Sequence, residues 1–587
     1  MDLSLLLLKV MITIALLGFC SKLIQICDAL ILKPERIRSK LRKQGIRGPP
    51  PSFLLGNIND MKKKKKSTTS KIQPGEQALT HNCSSAVFPF FDLWRKQYGS
   101  TFMFSLGNMQ ILHTNHPDVV KEISICTSLD LGKPSYQHKE RGPLLGHGIL
   151  TSNGATWAHQ RKILAPELYM EKVKDTMSLM VESSITLVNS WTNLIESEGG
   201  VADVHVDKYM RSFSGDAISR ACFGSNYSKG EDIFSKLREL QEQMSKKVLF
   251  SGIPVLRHLP TKSKRETWRL EKEVHSLIMK VVKERKEGAS QNDLLQMIIE
   301  GATNTDFGQD ETDRFIVDNC KNIYLAGYET TAVSATWTLM LLASNPEWQQ
   351  RVVKERKEGA SQNDLLQMII EGATNTDFGQ DETDRFIVDN CKNIYLAGYE
   401  TTAVSATWTL MLLASNPEWQ QRVRTEVLEI CADQMPDADM VRKMKTLTMV
   451  IHESLRLYPP VPVVSREAFR DMKFGDINVP KGVNVWTLMV SLHQDPDIWG
   501  PDANIFNPER FANGVSGACK LPYVYMPFGV GPRICAGQHF AMAELKILLA
   551  LIVSNFSFSL SPKYRHSPAL CLLIEPEHGV NLLIKKL

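Results

Sequence analysis

The stretch "PFGVGPRICAGQHFAMAELKILLALIV" carries the most chemically specific spacing in this 587-residue chain. Phe528-x-x-Gly531-x-Arg533-x-Cys535-x-Gly537 is a glycine-rich loop that delivers one cysteine to the start of an apolar helix. Glycine permits positive φ and a close approach of backbone to a flat ligand. A helix N-terminus favours thiolate over thiol, because its unpaired N–H groups point at the sulfur. Arg533 is placed to pair with an anionic group. A thiolate held by aimed donors is what a haem iron requires of a proximal ligand that promotes O–O cleavage. A second constellation is the acid–alcohol pair of "AGYETT", present twice as Glu329–Thr330 and Glu400–Thr401. Set in an apolar helix, such a pair can relay protons. Glu453 and Arg456 of "HESLR" lie one helical turn apart and can pair.

The cysteine loop resembles the haem-binding loop of the cytochrome P450 superfamily, and the other motifs follow in that family's order. The resemblance implies haem b as cofactor, with Cys535 as iron ligand and Phe528, Gly531, Arg533 and Gly537 shaping its loop. It implies that Arg510 of "FNPERF" completes a buried triad with Glu453 and Arg456. "WAHQR" is similar to the family's propionate-binding helix, which gives Trp157 and Arg161 that role, with Arg466 as a third propionate partner. "AGYETT" resembles the distal oxygen-activation motif. Whole segments such as "LDLGKPSYQHKERGPLLGHGILTSNGATWAHQRKILAPEL" are similar to the plant 72 clan, in particular its 714 family, whose members oxidise gibberellins and related diterpenoids.

The elements that must position these groups contain an anomaly. Residues 281–351 recur letter for letter as 352–422, a tandem unit of 71 residues. Solenoid repeats diverge and need several units to bury a shared core, so the period carries little architectural information. Only one distal helix fits over a haem, and one copy must be extruded. A break in the loop 301–313 installs Glu400 and Thr401; a break at 343–348 keeps Glu329 and Thr330. The first loop is longer and richer in Gly, Asn and Asp, and loop closure grows slowly with length. The second copy is therefore expected in the active site.

Further out, residues 1–32 are apolar for most of their length, with Asp2, Lys9, Lys22 and Asp28 as their charged residues, and a basic run, "KPERIRSKLRK", follows them. That order of charges fits a single-span anchor with the bulk of the chain on the cytosolic side, rather than a cleaved signal peptide. Residues 33–58 read as a basic, Pro-rich linker, with Pro49, Pro50 and Pro51 enforcing an extended arm. The lysine tract 62–66 reads as a solvated loop. Eleven cysteines without CxxC pairs indicate neither a zinc site nor a disulfide framework. The formal charge of +5 becomes about +10 without one acidic copy of the repeat, which suits a negatively charged partner or membrane surface.

The expected fold is mainly α: a cytochrome P450 fold with a small β-rich N-terminal lobe, spanning 59–587 behind its anchor. The expected activity is insertion of one oxygen atom from O₂ into a C–H or C=C bond of a small lipophilic substrate, at the endoplasmic reticulum membrane. No Gly-rich dinucleotide fingerprint follows a strand, so electrons come from outside. The resemblance names the donor as the NADPH-cytochrome P450 reductase. Arg442, Lys443, Lys445 and Lys520 are candidates for a basic docking face. Two other readings stand beside this one: a haem-binding protein without turnover, disabled by the duplication, and a reductase-independent isomerase or dehydratase on the same fold.

Overall fold

The computed structural model describes residues 2–62, 81–137, 149–165, 168–223, 239–240, 265–270, 272–273, 380–432, 434–570 and 573–587. Glu329, Thr330, the whole first copy, both candidate break points and the lysine tract beyond Lys62 lie outside them.

The architecture is mainly helical, as expected. We label only the helices used below: α1 (Asp2–Cys27), α2 (Lys33–Arg42), α3 (Pro117–Ile125), α4 (Gly154–Leu164), α5 (Met170–Ser197), α6 (Val206–Phe223), α7 (Gln380–Ser415), α8 (Lys445–Leu457) and α9 (Gln538–Asn555). Helix α9 is apolar nearly all round. Leu545, Ile547, Leu548, Leu549, Ala550 and Ile552 are all buried, the pattern of a helix that crosses a core rather than coating it. Helix α7 lies wholly in the second copy of the repeat and crosses the same core, burying Ala403, Val404, Ala406, Trp408 and Leu410. It packs against α6, α8 and α9.

The largest sheet has five strands in the order β1-β2-β8-β5-β3: β1 (Thr101–Leu106), β2 (Met109–Thr114), β3 (Leu131–Gly132), β5 (Val463–Ala468) and β8 (Asn484–Leu488). A two-residue turn at Gly107 and Asn108, with Gly107 at φ +60°, closes the β1–β2 hairpin. The lobe expected near the N-terminus is thus completed from far along the chain. Strand β8 runs parallel to β2, and Arg466 of β5 pairs in register with Val485 of β8. The remaining sheets are small: β4 (Ala202–His205), β9 (Phe556–Leu560) and β12 (Asn581–Lys586) form one, β6 (Met472–Phe474) and β7 (Ile477–Val479) another, and β10 (Pro568–Leu570) and β11 (Ile574–Pro576) a third.

One helix among the described residues is long and apolar enough to cross a membrane, running from Lys9 to Arg42. The first part of the linker is more structured than its composition implies. Residues 33–42 are helical, and α2 buries Leu41 and Arg38 against the sheet. Arg38 Nη1 donates to Ser105 Oγ at 3.0 Å, so the basic segment is partly a docking helix and not only a spacer. Its Ile37 and Leu41, one turn apart, supply the apolar side that composition alone concealed. Pro49, Pro50 and Pro51 are free of helix, as their fixed φ requires.

Candidate functional site

The cysteine loop is held by its own backbone. Cys535 N–H donates to Phe528 O at 2.7 Å, and Ile534 N–H donates to Gly531 O at 3.1 Å. Gly529 and Gly531 both adopt φ +75°. At Gly531 a Cβ would stand 2.4 Å from Ser124 O of α3, so glycine is required for the loop to lie against that helix. Gly537 is the residue before α9, which places Cys535 just ahead of the helix N-terminus. The Cys535 side chain is exposed, yet enough protein surrounds it that burial pushes its thiol pKa up. The Gly537 N–H and the Arg161 guanidinium pull it back down. These are the donors that a metal-bound thiolate needs.

Near this cysteine the structure gathers a group of cations around one indole. Arg533 lies over the Trp157 ring with its guanidinium carbon 4.5 Å from the centroid, and Lys133 Nζ stands 5.7 Å from the same ring. Trp157 and Arg161 come from α4, Arg466 from β5, and Lys133 from the chain just after β3. Burial lowers the pKa of Lys133, and the fields of Arg466, Arg533 and Arg161 lower it further. Burial and Arg533 push Arg466 down to about 10. Among the described residues no carboxylate forms an ion pair with Arg161, Arg466 or Arg533. Four mutually repelling cations together are costly without a polyanionic guest, and two carboxylates on one edge of a flat ring answer that cost. Beside a thiolate-forming cysteine, these residues fit a haem and its propionates. Lys133 was not legible from sequence, because no motif marks it; the structure alone brings it to Trp157.

Beneath the loop the expected triad is assembled. Arg456 donates from Nε and Nη2 to the two oxygens of Glu453 at 2.7 and 2.8 Å, and both side chains are fully buried. Arg510 Nε approaches Glu453 Oε1 at 3.6 Å and also pairs with Asp502. Arg456 further donates to His493 O and Ala503 O, each at 2.7 Å. A buried charge is tolerable when paired and fully hydrogen-bonded, and here it staples α8 to the chain between His493 and Arg510. His493 Nε2 then accepts from Met526 N–H, directly ahead of the loop.

On the other side of the core, Thr401 donates back along α7 to Ala397 O. Glu400 faces α6, where Arg211 Nε lies 3.4 Å from its Oε2. Arg211 also donates to Glu575 of β11 at 2.8 Å. Neighbours in sequence, Glu400 and Thr401 thus begin two different polar paths, one towards α6 and the other along the helix. Arg442, Lys443, Lys445 and Lys520 are all exposed, although Arg442 pairs with Asp439. Cys519 is half-buried, with burial raising its thiol pKa, and only a 3-10 turn at Pro522–Val524 follows it, not an apolar α-helix.

Comparison with known proteins gives one consistent picture. The cytochrome P450 family profile matches residues 78–363 and 353–582, two segments that overlap inside the repeat. The chain is 45% identical over 561 residues to cytochrome P450 714C2 of Oryza sativa subsp. japonica, covering 95% of this chain and 94% of that one. It is 41% identical to cytochrome P450 714A2 of Arabidopsis thaliana over 578 residues, covering 97% and 96% respectively. Cytochrome P450 714B3 of Zea mays is 40% identical over 584 residues, covering 98% and 96%.

Proposed function

Since the chain belongs to the cytochrome P450 family and is a haem-thiolate monooxygenase with homologues in the 714 group, we propose that its substrate is a gibberellin or a related diterpenoid. The likeness to 714-group proteins over nearly the whole chain is the observation that supports this substrate class. Such a ligand is rigid, mostly apolar and carboxylated, which suits an apolar pocket with few polar anchors.

Bound haem supplies an iron that activates dioxygen. In our reading the protein's own groups do the rest. Cys535 provides the thiolate, while Arg161, Arg466, Arg533 and Lys133 neutralise the propionates around Trp157. Thr401 holds a proton beside the reacting site, and Glu400, poised by Arg211, replenishes it. The second copy of the repeat supplies these two groups, because α7, which packs against the helix following Cys535, belongs to that copy. Electrons come from an NADPH-dependent flavoprotein reductase docking on the exposed basic residues Lys443, Lys445 and Lys520. The anchor α1 holds the enzyme on the cytosolic face of the endoplasmic reticulum.

The test is a spectral titration of the haem-loaded protein. Gibberellins or their kaurenoid precursors are expected to give a low-to-high-spin shift. A shift with fatty acids or steroids but with no diterpenoid would sink the substrate proposal. Protease protection of the C-terminal portion in sealed vesicles tests the orientation.

A further inference from the structure

Helix α9 carries an acid that none of the roles above uses. Glu544 lies nine residues after Cys535, is fully buried, and has no hydrogen-bond partner for either carboxyl oxygen. It faces the junction of three helices. Thr402 of α7, next to Thr401, is also buried, and its Oγ1 is likewise without a partner. Ser214 of α6 is completely enclosed there and donates to Gly398 O at 3.4 Å. The Ser214 and Thr402 hydroxyls are close enough to favour the charged form of Glu544, yet burial outweighs them and the acid's pKa is pushed up to about 8. An ionised carboxylate would be expensive in this place, whereas a neutral acid has a donor to give. Native proteins rarely leave three buried polar atoms unpaired in one spot without a purpose.

We propose that Glu544, as a neutral carboxylic acid, clamps the helix that follows the haem-ligating cysteine to α7 at Thr402, and so positions Thr401. The acid O–H donates to the unpaired Thr402 Oγ1, one turn after the Gly398 carbonyl on α7. Ser214 serves the same carbonyl from α6. The carbonyl that accepts from Thr401 is that of Ala397, immediately before Gly398. Glu544 therefore governs the turn of α7 whose geometry sets the Thr401 hydroxyl. It is a positioning residue: it touches neither haem nor substrate.

The proposal rests on the monooxygenase reading only in its second test. The first is infrared absorption of the full-length protein at neutral pH. A carbonyl stretch from a protonated carboxylic acid is expected, and it should vanish in Glu544→Gln. Its absence from the wild type, or its survival in the variant, would overturn the idea. The second compares product formed per oxygen consumed among proteins matched for reduced-CO thiolate absorption, which certifies that each site is loaded. Glu544→Gln keeps a neutral donor and should stay coupled. Glu544→Leu keeps the volume without the donor, and its coupling should fall about five-fold. Thr402→Val should reproduce that loss, and the double variant should be no worse than either single. A Glu544→Leu protein as well coupled as the wild type would show that the acid is only filler. Failure of all the proteins, wild type included, to turn over any substrate would count against the monooxygenase reading instead, and the infrared result would still decide the clamp.

Discussion

Arg211 Nε lies 3.4 Å from Glu400 Oε2, a contact between α6 and α7 made with both side chains largely buried. Burial alone would lower the Arg211 pKa, but Glu400, Tyr399, Glu575 and Asp207 together push it above its ordinary value. Its positive charge is therefore permanent, and Glu400 is held in reach of it. Replacing Arg211 by Met strands a carboxylate in the interior and should cost about 3 kcal/mol. Arg211→Met/Glu400→Gln should recover part of that loss. Thermal melting of the three proteins checks the order.

The distal alcohol is tested by paired substitutions. Thr401→Ala should uncouple oxygen consumption from product formation, while Thr330→Ala should change little. Peroxide release measured in parallel reads both. The reverse pattern would put the first copy of the repeat over the haem.

Cys535→Ser should abolish the thiolate-haem spectrum, because a neutral hydroxyl is a poor iron ligand beside a thiolate. Cys519 should not rescue it. Burial raises the Cys519 thiol pKa despite a backbone N–H from Leu521, and no long apolar helix follows it as α9 follows Cys535.

The cation group around Trp157 should respond with opposite signs in its two states. Among the described residues Arg466 donates only to the backbone of Ser465, and its neighbour Arg533 repels it. Arg466→Met should leave the haem-free protein as stable as before or more so, yet speed haem loss about tenfold, a difference of ~1.4 kcal/mol in binding. Melting of the apoprotein and transfer of haem to apomyoglobin measure the two effects.

Glu544 also gives a pH signature. Its carboxyl is raised in the fold from 4.5 to about 8, so folding favours the neutral form. The resulting stability is fully present below the unfolded pKa and is lost as pH rises through about 8. Between those limits the wild type should lose ~1.4 kcal/mol per pH unit relative to Glu544→Gln. Melting curves across that range are the check, and parallel curves would refute it.

The groups that sequence made legible are those whose spacing is local. Cys535 and Gly537 sit on one loop, Glu453 and Arg456 on one turn of α8, and Glu400 and Thr401 side by side. Their chemistry could be read because the chain itself sets their separation. Arg211, Lys133 and Glu544 escaped notice because their meaning depends on where distant helices meet. Lys133 is an ordinary lysine in "LGKPS" until β3 brings it to Trp157. Glu544 sits in a run that reads as an apolar helix, with nothing to mark it as enclosed. The β-rich lobe that the resemblance implies near the N-terminus begins there with β1 and β2, but the strands that complete it, β5 and β8, come some 350 residues later. The linker misled for a related reason. Its charge and prolines were plain, but the apolar edge of α2 gains significance only against the sheet it covers.

That docked linker turns the membrane stalk into a fixed strut. A helix of 34 residues, Lys9 to Arg42, extends for about 50 Å, well beyond the ~30 Å of a bilayer's hydrocarbon. Its far end is bolted by Arg38 to Ser105, and Asn108 of the β1–β2 turn reaches Ala29 along its length. The catalytic body therefore cannot swivel like a balloon on a string. The heading of the body relative to the apolar helix is set by the strut, so the same flank always faces that helix.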